Sequence, residues 1–210
     1  MEFQDVVRKR RMVRGFDARP LPREVVERLV ANAQRGPSSG FSQGFDFLVF
    51  DGPDQTLRFW AATPFAQGAY MAQARTAPLI LVPVANPEPY VTRYRELGLR
   101  ETPEDFPAPY WYTDTAFAAM LVLLSAVDAG LGAFYFSVGP TRREIPAFCQ
   151  ALGIPEGHHP IGAIAIGYPA SDDPSRTPET KQRLQAERRR SDSILHFGHW
   201  GTRSPASSGD

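Results

Sequence analysis

The stretch TDTAFAAMLVLLSAVDAG, residues 113–130, constrains the fold more than any other part of the chain. Thr113 or Asp114 can cap a helix there and Gly130 can close it. Between them, apolar side chains fall on nearly every side of the helix. A helix of that kind has to be buried, either in a core or across an interface between two copies. Its longest apolar run, residues 116–127, is too short to span a bilayer, so no membrane association is expected.

The elements around it alternate in type. FQDVVRKR (3–10) places Phe3, Val6 and Val7 on one helical face and cations at its C-terminal end, where the helix dipole favours them. PREVVERLVANAQRG (22–36) reads as a helix, with Pro22 at its first position, an apolar stripe from Val25 to Ala33 and Gly36 beyond its end. FDFLVF (45–50), PLILVPVA (78–85), GAFYFSV (132–138) and PIGAIAIGY (160–168) read as strands. Residues 54–75 suggest helical pieces broken at Thr63-Pro64, and TRREIPAFCQAL (141–152) a helix with a weak point at Pro146. Residues 86–112 are rich in Pro, Tyr and charge and read as a long excursion, the kind of segment that often forms a functional lid. No repeat or linker is evident, so one α+β domain is expected over residues 1–200, with a disordered tail at 201–210.

Lys+Arg and Asp+Glu are equal at 23 each, which argues against a protein whose main task is wrapping nucleic acid. The one cysteine, Cys149, excludes an internal disulfide and a cysteine-based zinc site. The histidines lack acidic partners at ligand spacing, so no metal is expected. MEFQDVVRKRR has no apolar secretion signal, and a cytoplasmic protein is the default expectation.

Against this neutral background, RKRRMVRGF (8–16) is unusual. It is either a solvated helix end or a phosphate site, since guanidinium forks grip phosphate oxygens and stay charged. A second cluster, Arg188-Arg189-Arg190, lies near the other end. PSSGFSQG (37–44) joins a helix to a strand with hydroxyls, an amide and glycines. That composition suits a ligand with ring carbonyls and nitrogens, or an ordinary polar connection. GLGAFYFSVGP (130–140) is no dinucleotide fingerprint, and neither a P-loop nor a GxSxG elbow occurs.

Taken in order, these pieces resemble the FMN-dependent nitroreductase family over residues 1 to about 200. The pieces are Arg-Arg-x-Val-Arg, the Pro-Ser-Ser-x-x-x-Gln loop, the helix ending Gly-Leu-Gly, the strand PIGAIAIGY and an Arg-rich terminal segment. The resemblance implies an α+β three-layer sandwich with a central, mainly antiparallel sheet. It also implies an intertwined homodimer holding FMN at the subunit interface. Arg10, Arg11 and Arg14, with Met12 among them, would hold the FMN phosphate and ribityl chain, and Arg188 and Arg190 would return to the phosphate. Pro37, Ser38, Ser39 and Gln43 would face the flavin from the partner subunit. Phe136, Ser137 and Val138 would lie along its ring, with Ser137 the catalytic candidate near N5. Phe41, Tyr110, Trp111 and Tyr112 would meet the substrate, the last three as part of a lid that also carries Tyr90 and Tyr94.

The implied activity is ping-pong hydride transfer from NAD(P)H through FMN to a small planar acceptor such as a nitro compound or quinone. The PSxGxxQ pattern and Ser137 are similar to the branch of flavin-cleaving dimethylbenzimidazole synthases. Met12 stands where that branch carries an aspartate, which favours ordinary redox turnover. Flavin cleavage or another oxidative specialisation of the same fold, flavin carriage without turnover, and nucleic-acid binding through the two arginine clusters are the alternatives.

Overall fold

The computed structural model describes residues 1–203, so residues 204–210 of the expected disordered tail lie outside them. The chain divides into two compact units, Met1–Pro174 and Ser175–Asp210, a division that no linker composition marks.

The first unit is built on an antiparallel sheet. Its strands are β1 (Phe16–Asp17), β2 (Phe45–Asp51), β3 (Leu79–Ala85), β4 (Gly132–Phe136), β5 (His159–Pro160) and β6 (Ala163–Pro169). β3 pairs with β2 on one side and β6 on the other, and β4 pairs along β6 from Gly132↔Gly167 to Phe136↔Ala163. The helices are α1 (Phe3–Lys9), α2 (Arg23–Ala33), α3 (Pro53–Ala61), α4 (Glu88–Glu96), α5 (Tyr110–Asp128) and α6 (Ile145–Leu152).

Strand alternation makes two cores. Leu79 and Leu81 of β3, with Ile164 and Ile166 of β6, pack against Leu29 of α2 and Ala118 and Val122 of α5. The intervening Ile80, Val82 and Val84, with Ala163 and Ala165, face Phe59 and Trp60 of α3 and Phe148 of α6. Because β3 is buried along its whole length, it reads as a continuous apolar run. The expected helix–sheet–helix sandwich is therefore present in this unit.

Four local readings change. α5 begins at Tyr110, directly after Pro109, rather than at Thr113, and its 19 residues are long and apolar enough, by length and composition, to cross a membrane. In this fold Trp111, Ala118, Ala119, Val122, Leu123 and Ala126 are buried, while Phe117 (47% exposed) and Met120 (46% exposed) face outward. Asp114 is no cap, because its carboxylate is buried inside the first unit. The excursion contains α4, whose Tyr90 and Val91 are buried, and in α1 only Val6 is buried while Phe3 and Val7 are exposed.

In the second unit, α7 (Pro178–Glu187) starts at Thr177, whose hydroxyl accepts the Thr180 amide at 3.2 Å. No residue of α7 is buried. Arg188 is exposed, Arg189 donates to the Ser193 carbonyl at 2.7 Å, and Arg190 pairs with Asp192 at 2.9 Å.

Candidate active site

The arginine stretch leaves α1 as extended chain and runs beside β4. Met12 forms a parallel bridge with Ala133, and the Val13 amide donates to the Ala133 carbonyl at 2.9 Å. The approach is close enough to require glycine at position 132, where a Cβ would stand 2.7 Å from the Val13 side chain. The Arg14 guanidinium lies 4.7 Å from the centre of the Phe134 ring.

Asp173 anchors this segment. Its side chain is fully buried and accepts from the Arg11 guanidinium at 2.6 Å and from the Arg14 and Gly15 amides, each at 3.1 Å. A buried carboxylate needs such donors, and here they come from a segment about 160 residues earlier. Arg10, Arg11 and Arg14 bring three guanidiniums to this segment, whose own residues carry no acidic side chain. Met12 packs against the apolar core, so no carboxylate stands at that position.

Farther along β4, the expected ring-facing residues separate. Phe136 is buried and stacks on Trp60, with centroids 5.6 Å apart and planes 8° apart, and Val138 is buried in the same core. Any ligand contact at these two positions would therefore use backbone atoms. Ser137 between them is exposed, and its hydroxyl donates to the Gly139 carbonyl.

The loop 37–44 is held elsewhere. The Ser38 hydroxyl accepts the Gln43 amide at 2.6 Å, and the Ser39 amide donates to Asp114 at 2.8 Å. Gly40, Phe41 and Gln43 all have positive φ, at 62°, 55° and 54°, a conformation that side chains other than glycine resist. Phe41 is 78% exposed. At Gly44 a Cβ would come within 2.3 Å of the Asn86 carbonyl and 2.4 Å of the Tyr90 ring, so no larger residue fits.

Of the expected substrate contacts, Trp111 is buried with Tyr90, Val91 and Phe106 in a separate aromatic core, with Tyr110 packed against it. Phe41 and Tyr112 remain exposed. Tyr112 lies 5.6 Å from the ring of His159, whose pKa burial lowers from the ordinary value. No cluster of metal-ligating side chains occurs among the described residues.

Within one copy, the arginine stretch and the loop do not meet. Met12 sits beside Ala133, which pairs with Ile166 and so aligns with Leu79 at the start of β3. The loop joins the chain just past Ala85, at the other end of that strand, where Asn86 donates to the Gly44 carbonyl. Six residues of strand separate the two levels, about 20 Å. Sequence reasoning missed Asp173 and the role of Asp114. Asp173 lies in an ordinary polar turn, and Asp114 carries the signature of a helix cap.

A sequence profile described as the Nitroreductase family matches residues 7–168. A protein provisionally named NADH dehydrogenase/NAD(P)H nitroreductase from Methanothermobacter thermautotrophicus is 23% identical over 188 residues, covering 90% of this chain and 88% of its own. The solved structure of an FMN-dependent nitroreductase from Clostridium difficile R20291 superposes with a TM-score of 0.67 at 18% identity, covering 93% of this chain and 98% of that one. A nitroreductase family protein from Clostridium difficile 630 gives a TM-score of 0.70 at 18% identity, covering 95% of this chain and 99% of that one. With most of the first unit matched by the family profile and the same fold found in these structures, the chain belongs to the nitroreductase family.

Proposed function

We propose that this protein is an FMN-dependent oxidoreductase that takes reducing equivalents from NAD(P)H and passes them to a small planar acceptor, a nitro compound or a quinone. The observation that carries this reading is the arginine segment pinned beside β4, the strand that leads to the exposed Ser137. The donor set fits FMN: guanidiniums for a phosphate, and hydroxyls, an amide side chain and backbone groups for a ring with carbonyls and nitrogens. When bound, FMN supplies the hydride chemistry that the protein's side chains lack.

The chain's own residues bind and orient. Arg10 and Arg14 hold the phosphate, while Arg11 is steered by Asp173 and fixes the segment's course. Ser38, Ser39 and Gln43 present polar groups to the ring, Ser137 stands just past the end of β4, and exposed Phe41 and Tyr112 meet the acceptor. No side-chain acid or base is required of the protein in this scheme.

The scheme needs two copies. The loop and the arginine segment lie at opposite ends of β3 within one copy, and the outward face of α5 carries Phe117 and Met120, a patch suited to a second α5. Phe117→Glu is expected to give a monomer that no longer retains flavin. A wild-type monomer with full flavin would contradict the shared site.

Flavin cleavage is the second reading, supported by Ser137 and the PSxGxxQ loop and weakened by the apolar packing of Met12. The deciding experiment is anaerobic spectroscopy of the purified protein with FMN. Bleaching by NADPH or NADH, with colour restored by a nitroaromatic or quinone, supports turnover. Fragmented flavin after exposure to oxygen supports cleavage, and bound flavin that neither reductant bleaches supports carriage.

A further inference from the structure

The segment 88–112 looks, by composition, like a lid over the site, yet two of its tyrosines, Tyr90 and Tyr94, reach inward to Asp114 and to the loop 37–44. One oxygen of Asp114, Oδ2, accepts both the Tyr90 hydroxyl at 2.7 Å and the Ser39 amide at 2.8 Å. The Tyr94 hydroxyl bonds the Ser39 hydroxyl at 2.8 Å, and the Tyr94 ring lies against the bare side of Gly40. Phe106 then packs edge-on against Tyr94 at 5.1 Å and Trp111 at 5.7 Å, while the Arg100 guanidinium covers Tyr94 and Phe106. Every one of these groups comes from α4, the first turns of α5, or the chain between them.

Left-handed backbone at Phe41 and Gln43 is strained, and the loop keeps that shape only if its surroundings impose it. The aromatic core supplies the surroundings and Asp114 the linking atom.

We infer that the segment 88–112 is a brace for the ligand loop rather than a closing lid, and that Asp114 is the positioning residue that ties loop to brace. Asp114 acts through Ser39 and the loop backbone without touching the ligand. Tyr94 is the second tie. Movement of α4 and the conformation of Ser38, Ser39 and Gln43 are therefore coupled, and the loop's grip on a ligand depends on an aromatic core that the ligand does not contact. That the braced loop serves a flavin rests on the reading above; the brace itself does not.

The test uses the full chain in two arms. Amide hydrogen exchange of residues 39–45 in flavin-free protein reports the brace, and FMN titration by fluorescence quenching reports its consequence. Asp114→Ala is expected to lower protection of the Ser39 and Gln43 amides by about ten- to a hundredfold, leaving β3 and β6 protected, and to weaken FMN binding by about tenfold or more. Asp114→Asn keeps an acceptor oxygen in place and is expected to recover most of both losses. Tyr94→Phe, which removes one hydroxyl from a half-buried ring, is expected to lower loop protection by about threefold and serves if the alanine variant does not fold.

Unchanged loop exchange in both Asp114→Ala and Tyr94→Phe would overturn the brace. So would an asparagine variant as unprotected as the alanine one. Lost protection with unchanged FMN affinity would overturn the positioning role. Failure of the wild-type protein to bind FMN would sink the flavin reading instead, and the exchange arm would still decide the brace.

Discussion

Residues 10–15 and residues 37–44 are both short polar segments, and each is fastened by one buried aspartate, Asp173 for the first and Asp114 for the second. The chain solves the two anchoring problems differently. The arginine segment is extended, borders a strand, and has no positive φ; its anchor also offsets part of its positive charge through the ion pair with Arg11. The serine loop is left-handed at three of four consecutive residues and borders helices, and its anchor binds a backbone amide and a tyrosine hydroxyl with no cation. A phosphate needs charge at a fixed place, which a relaxed strand edge provides. A ring needs polar groups at particular angles, and strained backbone held from behind can supply them.

That contrast predicts unequal responses to substitution. Asp173→Ala should have the largest effect, because it removes one buried acceptor from a guanidinium and two backbone amides together. We expect a loss of about 2–4 kcal/mol in urea denaturation, together with weakened FMN binding. Stability within experimental error of wild type would show that the arginine segment needs no anchor. Gly44→Ala should cost about 1–3 kcal/mol, since the added methyl collides with the Asn86 carbonyl and the Tyr90 ring.

Phe41→Gly should go the other way. Removing an exposed side chain from left-handed backbone is expected to leave stability unchanged or raise it by up to about 1 kcal/mol, while acceptor turnover falls. A clear loss of stability would mean that the loop is not strained and would erase the contrast between the two segments.

The smallest effect concerns pH. Burial, followed by the hydrogen bond to Asp114, raises the pKa of Tyr90 above its ordinary value of 10.0. A folded-state pKa raised above the unfolded one contributes stability that is fully present below pH 10 and lost as pH climbs towards the folded value. Tyr90→Phe should therefore flatten the alkaline limb of the stability–pH curve, whereas Asp173→Ala should leave that limb's slope unchanged.

Much of the fold was legible because local pattern and tertiary role agree in β2, β3, β6 and α2. The apolar run of β3 is buried on both faces, and the stripe of α2 meets the sheet. The helix at 113–130 was visible, but its first turn was not. Tyr110, Trp111 and Tyr112 look like loop aromatics after a proline-rich run, and Thr113-Asp114 looks like a cap. The aromatic core around Phe106 overrides that local signal by drawing Trp111 inward, and Asp114 takes one tertiary donor from that core, Tyr90, and one from the loop, the Ser39 amide. Asp173 was illegible for a related reason. The donors Arg11, Arg14 and Gly15 lie about 160 residues away, and nothing in its own turn distinguishes it from a solvated aspartate. Burial could not be read from GAFYFSV either: Phe136 and Val138 turn into the core while Ser137 between them is exposed.

The central claim is that the arginine segment holds a phosphate while the braced loop addresses a ring. It is tested most directly by titrating flavin-free protein with FMN and with riboflavin at low and high salt. The account predicts FMN binding roughly a hundredfold tighter than riboflavin, with the gap narrowing as salt rises and closing in an Arg10→Ala, Arg14→Ala double variant. Equal affinity for the two flavins at low salt, or binding of neither, would contradict it.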